Sequence, residues 1–513
     1  MTSHEPESPV PSPVSMHRRL LLRNALLGGG YLSLGGLTAR SLFAQGDETT
    51  QLPAATGMHH PATAKRVVVI YALGGLSQFE LFDEKPLLQE RHGEDLPASL
   101  LATGQITTVT SRQGALPVVG AVAEFESCGH SGQRMSNHVK ELKRHADKLA
   151  IIRTMTTDSV VHERANVSFF TGTQVLGRPS MGSWVTYGLG SDTKDLPEFV
   201  VMLSGRQDAS AVNSRMWGPG FLPGKHQGVQ FRSKGDPVLY VNPPKGALES
   251  RDGMLEGLEK LNQIEAERTG DPSVHTRISA YEKAARMQLS VPDLMDLKNE
   301  KDELLEAYGA DRKDGSFARN CVLARRLLER GVRFVQMIDA GWDHHENMPK
   351  AIETKTKQTD KPIAAFLDDL HERGLLEETV VVFAGEFGRT PYCEGRFSKN
   401  SYGRDHNNRL GSMWMAGGGV QGGVTHGVTD EWGWATVQDE VHVNDVQATL
   451  LHALGIDHER LTHRSQGRDF RLTDVAGRVV QQVLGRAEVQ PKNAWGLPVG
   501  PPNTGSTQND NAG

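Results

Sequence analysis

The sequence predicts an α/β protein: a mostly parallel sheet flanked by helices on both faces, with an inserted cap region. Three observations predict it. Short apolar, β-branched runs recur without alternation ("RVVVIYAL", "LAIIRTM", "EFVVMLS", "VRFVQMID", "TVVVFAG"), the pattern of strands buried on both faces. Helical segments separate several of them in turn. Polar, metal-capable side chains follow the runs, as expected where working residues gather outside the carboxyl ends of parallel strands.

Composition sets the outer bounds. A chain of 513 residues, 37% hydrophobic, can bury one large domain or two moderate ones. A formal charge of -6 provides no basic stripe for nucleic acid, so an acidic substrate would need local positive charge or a metal. The three cysteines, Cys128, Cys321 and Cys393, are odd in number and widely spaced, which implies no disulfide framework.

Residues 1–45 read as a twin-arginine-type signal segment. Arg18 and Arg19 precede a glycine-diluted apolar run over 20–37, and "SLFAQ" places Leu42 and Ala44 at the cleavage positions. A membrane anchor is the alternative, although the run is marginal for the roughly 20 apolar residues of a span. The signal implies the twin-arginine export machinery as a partner and a periplasmic or extracellular location. It also implies folding before export, which fits the sparse cysteines. No later stretch approaches a span, so the mature chain is expected to have no stable membrane segment.

Residues 46–64 are Thr-, Pro- and Ala-rich and read as a linker, with His59 and His60 solvated. The main domain spans 65–490. It opens with the strand "RVVVIYAL" and the glycine turn "GGLSQ". Then come a helix at "SNHVKELKRHADK", the strand "LAIIRTM", a helix at "RANVSFFTG" and the strand "EFVVMLS". Over about 205–316 the rhythm breaks. The irregular "RMWGPGFLPGKHQGVQF" leads into charged helices at "GMLEGLEKLNQIEAERTG" and "LMDLKNEKDELLEAYG", which read as an insertion or cap. The alternation resumes with "VRFVQMID", the helix "IAAFLDDLHERG", "TVVVFAG", "LGSMWMAGG" and the late helix "VNDVQATLLHALG". Residues 491–513 read as a disordered tail.

Four strand ends carry polar clusters: Ser77, Gln78, Glu80 and Asp83; Asp158 and His162; Asp339, Asp343, His344, His345 and Glu346; and Glu386 with Arg389. A fifth group, Arg404, Asp405 and His406 in "GRDHNN", stands ahead of a further strand. Carboxylate and imidazole together suit a divalent metal, with zinc foremost and manganese, calcium or iron open. The absence of a cysteine pair argues against a structural zinc site.

The motifs "GGLSQFELFD", "HADKLAIIRTM", "RPSMGSWVTYGLGS", "GWDHHEN", "GEFGRTP", "GRDHN" and "AGGGVQGG" resemble those of the DUF1501 family over about 65–475. That family in turn resembles the alkaline phosphatase and sulfatase superfamily, which hydrolyses phosphate or sulfate esters with one or two metals and an activated Ser, Thr or Cys. The resemblance implies an alkaline phosphatase-like fold. It implies one metal at Asp343, His345 and His406. The second site is altered: leucine and glycine follow the first strand, and Glu386 with Phe387 stands where an Asp-His pair is expected. Glu386 is retained as a candidate ligand, and Glu80 or Asp83 as a substitute for the missing Asp. The nucleophile position, nine residues before Thr171, holds His162, leaving nucleophile, general acid or metal ligand open for it. Ser159 and Ser168 are nearby hydroxyls, Ser168 reading as packed mid-helix, and Asp445 reads as a helix cap. Arg389 or Arg404 would balance the charge of a phosphoryl or sulfuryl group. The expectation is an exported metal-dependent hydrolase of small-molecule or polymeric phosphate or sulfate esters. The alternative is a non-catalytic exported metal-binding or surface-assembly protein that keeps a degenerate form of the fold.

Overall fold

The computed structural model describes residues 58–485, apart from 102–105, 194, 206–211, 399–400 and most of 233–289. The signal segment, most of the linker and the tail after 490 lie outside the described residues.

The strands that matter are β1 (Arg66–Leu73), β2 (Leu149–Ile152), β3 (Phe199–Ser204), β4 (Val229–Phe231), β5 (Phe334–Ala340), β6 (Thr379–Ala384), β7 (Gly388–Ser398), β8 (Ser401–Asn407), β9 (Met413–Ala416) and β10 (Val424–His426). Eight of them form one sheet in the order β10-β2-β9-β6-β1-β5-β3-β4. Only β9 runs against its neighbours; the other pairings are parallel. The centre of the sheet is β1, whose residues Val67 to Leu73 are all buried. Val68, Ile70 and Ala72 enter one core, and Val67, Val69, Tyr71 and Leu73 the other. Each Val or Ile so buried contributes about 1.5–3 kcal/mol, which is why the run is apolar on both faces.

Helices cover both faces. On one lie α1 (His162–Thr171), α2 (Met181–Leu189) and α6 (Val443–Ala453), with Phe169, Phe170, Trp184 and Leu450 in the core with Tyr71. On the other lie α3 (Asp302–Tyr308), α4 (Phe317–Glu329) and α5 (Met348–Glu372), with Tyr308, Leu323, Ile352 and Phe366 against Ile70. The α/β class with a mostly parallel sheet holds. Among the described residues no helix is long and apolar enough to cross a membrane.

The structure departs from the sequence reading at four places. The expected insertion over 205–316 is not wholly outside the fold, because β4 extends the sheet beside β3 and α3 packs in the core. The fold also begins before residue 65: Thr63 and Ala64 donate to Ala453 O, and His59 to Gly455 O. The segment "SNHVKELKRHADK" is not an α-helix. Its start belongs to a small strand (Gln133–Ser136), and Leu142–Lys148 forms a 3-10 turn whose first N–H groups are capped by Asp360, at 2.7 and 2.9 Å from Glu141 N and Leu142 N. Finally, α5 runs through Pro362, where sequence reading would start it. The buried stripe of Met348, Ile352, Lys355, Thr359 and Ile363 is continuous, and its packing outweighs the one lost hydrogen bond.

Beyond the sheet, β7 and β8 form an antiparallel hairpin in which Arg389 stands opposite His406 and Glu394 opposite Gly403. The sequence motifs "GEFGRTP" and "GRDHN" are thus two arms of one element, which the reading from sequence left apart.

Candidate metal centre

His162, Asp343, His345 and His406 converge, with one ligand atom from each lying within 4.8 Å of the others. Three elements deliver them. Asp343 and His345 leave β5 on the loop that follows its carboxyl end. His162 is the first residue of α1, and His406 is carried in by β8. The carboxylate is central: Oδ1 lies 2.8 Å from His345 Nε2 and 3.4 Å from His406 Nε2, and Oδ2 lies 3.3 Å from His162 Nε2.

Each imidazole is fixed from behind. Nδ1 of His162 lies 2.6 Å from Glu386 Oε1, Nδ1 of His406 lies 2.8 Å from the Val160 carbonyl, and Nδ1 of His345 bonds Glu394 Oε2. An acceptor at Nδ1 keeps the proton there, so each neutral ring turns its Nε2 lone pair toward Asp343. Histidine ligands of metals are oriented in this manner by carboxylates and carbonyls.

The electrostatics agree. Burial pulls His162 down, but its bonds to Asp343 and Glu386 outweigh that and raise it to about 9. His345 is likewise pulled down by burial and raised to about 9 by Asp343 and Glu394. Burial opposes ionisation of Asp343, yet the three imidazoles and Arg389 hold its carboxyl far below the usual range. His406 is lowered, by burial first. A strongly ionised carboxylate ringed by imidazoles is a cation site by its chemistry. The His162 Nε2 atom is buried, and Asp343 Oδ2 at 3.3 Å is the partner it faces. The residues therefore fit a divalent metal, with three nitrogens and one oxygen. Asp343 is 40% exposed, which leaves one side of the site open to solvent.

The paired histidines of "GWDHH" have separate tasks. His344 is buried and turned the other way, with Nε2 3.1 Å from Gly341 O, and burial with Arg389 lowers it to about 4. Asp339 is also structural: it pairs with Lys355 at 2.7 Å and accepts from Ser204 and Trp342.

Several sequence candidates stand elsewhere than expected. Glu386 is outside the converging set; both its oxygens accept from Gly74 N, at 2.9 and 3.2 Å, and one also holds His162. Arg404 is wholly buried and paired with Glu80 at 2.8 Å, so it does not face a substrate. Glu80 is consumed by that pair, and Asp83 by Lys85 and Thr429, so neither replaces the missing Asp. Arg389 does reach the centre, its Nη2 2.5 Å from Asp343 Oδ1, but its Nε and Nη1 are bound to the carbonyls of Gly75 and Arg404. Phe387 is buried, its ring centroid 5.1 Å from that of His162 and 4.6 Å from that of His406, so an apolar wall stands where a second metal's ligand was sought. Ser159 is buried with its Oγ accepting from Val161 N, Ser168 is packed within α1, and Asp445 caps α6.

Three participants escaped the sequence reading. Glu394 lies in a strand with no local mark of function, and the Val160 carbonyl has none to give. Gly74 did carry a signal, the Gly-Gly pair after β1: its φ is 126°, and a Cβ there would lie 2.4 Å from Asp343 N. Only glycine lets the β1 turn press against the Asp343 loop while donating to Glu386.

A model of the family described as "Protein of unknown function (DUF1501)" matches residues 64–484. The chain belongs to the DUF1501 family. No curated protein matches it by sequence. Solved structures similar to this DUF1501 chain include the lipoteichoic acid synthase LtaP from Listeria monocytogenes, with a TM-score of 0.35 and 10% identity, covering 82% of this chain and 78% of that one. The PsFucS1 sulfatase from Pseudoalteromonas sp. gives a TM-score of 0.32 and 11% identity over 77% and 68%. The alkaline phosphatase from the Antarctic bacterium TAB5 gives 0.27 and 9% over 76% and 98%. At these scores the likeness assigns neither substrate nor mechanism to the DUF1501 chain.

Proposed function

We propose that this chain is an exported metal-dependent hydrolase of phosphate or sulfate esters, with one divalent ion, zinc foremost, held by His162, Asp343, His345 and His406. The observation that carries the proposal is the common orientation of three imidazoles: every Nδ1 is occupied by a protein acceptor, and every Nε2 faces one solvent-open carboxylate at the end of a parallel strand. A nitrogen-rich set suits zinc, iron or manganese better than calcium, which favours oxygen ligands throughout.

When bound, such an ion supplies Lewis acidity toward an ester oxygen or a water. The chain supplies the rest. Asp343 and the imidazoles fix the position, Glu386 and Glu394 fix the rings, and Phe387 keeps water from the inner side. Arg389 is a brace for Asp343 and the Gly74–Gly75 turn. The non-catalytic reading keeps one specific support: Arg389 and Arg404 are both tied up internally, leaving neither to grip an anionic group.

Elemental analysis of the mature protein, read with turnover of generic phosphate and sulfate esters, tests the two readings against each other. Metal with turnover supports the hydrolase; metal without turnover across both ester classes supports the binding protein. His162→Asn separates its roles. The geometry favours a ligand, so metal content and activity should fall together by more than tenfold. Retained metal with lost turnover would make His162 a nucleophile or acid instead.

Export is a separate proposal, resting on Arg18 and Arg19 ahead of the apolar run. Replacing both with Lys keeps charge but loses the paired guanidinium groups, and the precursor should accumulate in the cytoplasm. An unchanged periplasmic yield, followed by fractionation and blotting, would point to general secretion.

A further inference from the structure

We infer that Glu394 is a positioning residue of the metal centre, holding His345 in ligand geometry from the hairpin arm; the inference rests on the metal-site reading above. Glu394 is only 13% exposed, and its Oε2 accepts from His345 Nδ1. A carboxylate placed there fixes the tautomer and makes Nε2 more basic than a carbonyl partner would.

The hairpin is shaped for that contact. Its register is irregular on both sides of the Cys393–Glu394 step, with shifts between Arg389 and Cys393 and between Glu394 and Ser398. Such irregularities re-aim side chains. Opposite Glu394 stands Gly403, where a Cβ would lie 1.8 Å from His345 O, and the next residue's N–H, of Arg404, donates to His344 O at 3.2 Å. The loop carrying Asp343 and His345 therefore lies directly on the hairpin at Gly403, where no side chain stands in the way. Glu394 reaches around that spot to the imidazole.

The charges around the cluster give Glu394 a second consequence. Asp343, Glu386 and Glu394 are three carboxylates, each against an imidazole of the cluster, and Arg389 is the cation paired with Asp343. A divalent ion on neutral imidazoles balances the two negative charges left over. Removing the Glu394 charge leaves the same ion one charge in excess, so affinity falls for an electrostatic as well as a geometric reason.

The test compares the parent with Glu394→Gln, Glu394→Ala and Glu394→Asp as metal-free proteins, all checked for fold by circular dichroism. Zinc affinity is read by chelator competition, and the ligand field by the visible absorption of the cobalt-substituted forms. The expected result is zinc binding weakened 10–100-fold in the Gln and Ala variants, with a shifted cobalt spectrum, and partial recovery in the Asp variant. If Ala does not fold, the isosteric Gln variant decides alone. Parent-like affinity and spectrum in the folded variants would overturn the role of Glu394 while leaving the metal centre intact. A parent that binds no zinc or cobalt would overturn both.

Discussion

Asp343→Ala is expected to abolish metal binding and turnover. Its two oxygens meet all three imidazoles and Arg389, so no other single side chain touches as much of the centre. Without it, His162, His345 and His406 lose the anion they face, and three neutral nitrogens are left beside the Arg389 guanidinium, which repels a cation. The parent, by contrast, should gain about 4 kcal/mol of stability at roughly 1,000 times the dissociation constant of zinc. Thermal melting with and without zinc measures this directly: a rise in the parent and none in the variant. An equal rise in both would remove Asp343 from the ligand set.

The metal-free parent should also respond to pH in a defined direction. His162 and His345 are raised from 6.5 to about 9 in the folded state, so each binds its proton more tightly folded than unfolded. That contribution is complete below about pH 6.5 and disappears as the pH rises through about 9. Metal-free protein should therefore melt lower at pH 9 than at pH 6.5 on account of these groups. Zinc affinity should run the other way, because protonated imidazoles must release their protons to bind it. Titrations of melting temperature against pH, with chelator and with zinc, separate the two.

The second large effect is on folding. Arg404→Met should destabilise the protein by about 3–5 kcal/mol, the cost of leaving one member of a buried ion pair uncompensated. Arg404 and Glu80 are both wholly buried; the guanidinium also donates to Thr390 O and Gly120 O and lies 4.7 Å from the Phe79 ring. Glu80 in turn accepts from Val122 N at 2.8 Å. This pair ties the hairpin to the turn after β1. Denaturant unfolding of the single variant and of Arg404→Met with Glu80→Gln checks the cause. The double variant should recover part of the loss, because the orphaned charge is gone. A loss below 1 kcal/mol in the single variant would mean that the pair is hydrated and weak.

The sequence by itself determined the sheet and one end of the centre. Runs such as "RVVVIYAL" and "TVVVFAG" are apolar at every position because both faces are buried, and that pattern is local, so β1 and β6 could be read directly. Asp343 and His345 stood out as members of one polar cluster just past a strand, and the family resemblance picked out that pair from it. What the tertiary structure decided is everything that depends on one segment meeting another. Local pattern could not pair Arg389 with His406, because hairpin register is set by contacts across two strands. It could not tell that Arg404 is spent on Glu80. Nor could it find Glu394, whose importance lies wholly in the imidazole it touches 49 residues away. A side chain's type is written in the sequence, but its partner, and hence whether a carboxylate is a ligand, a brace or half of a buried pair, is fixed only when distant segments pack.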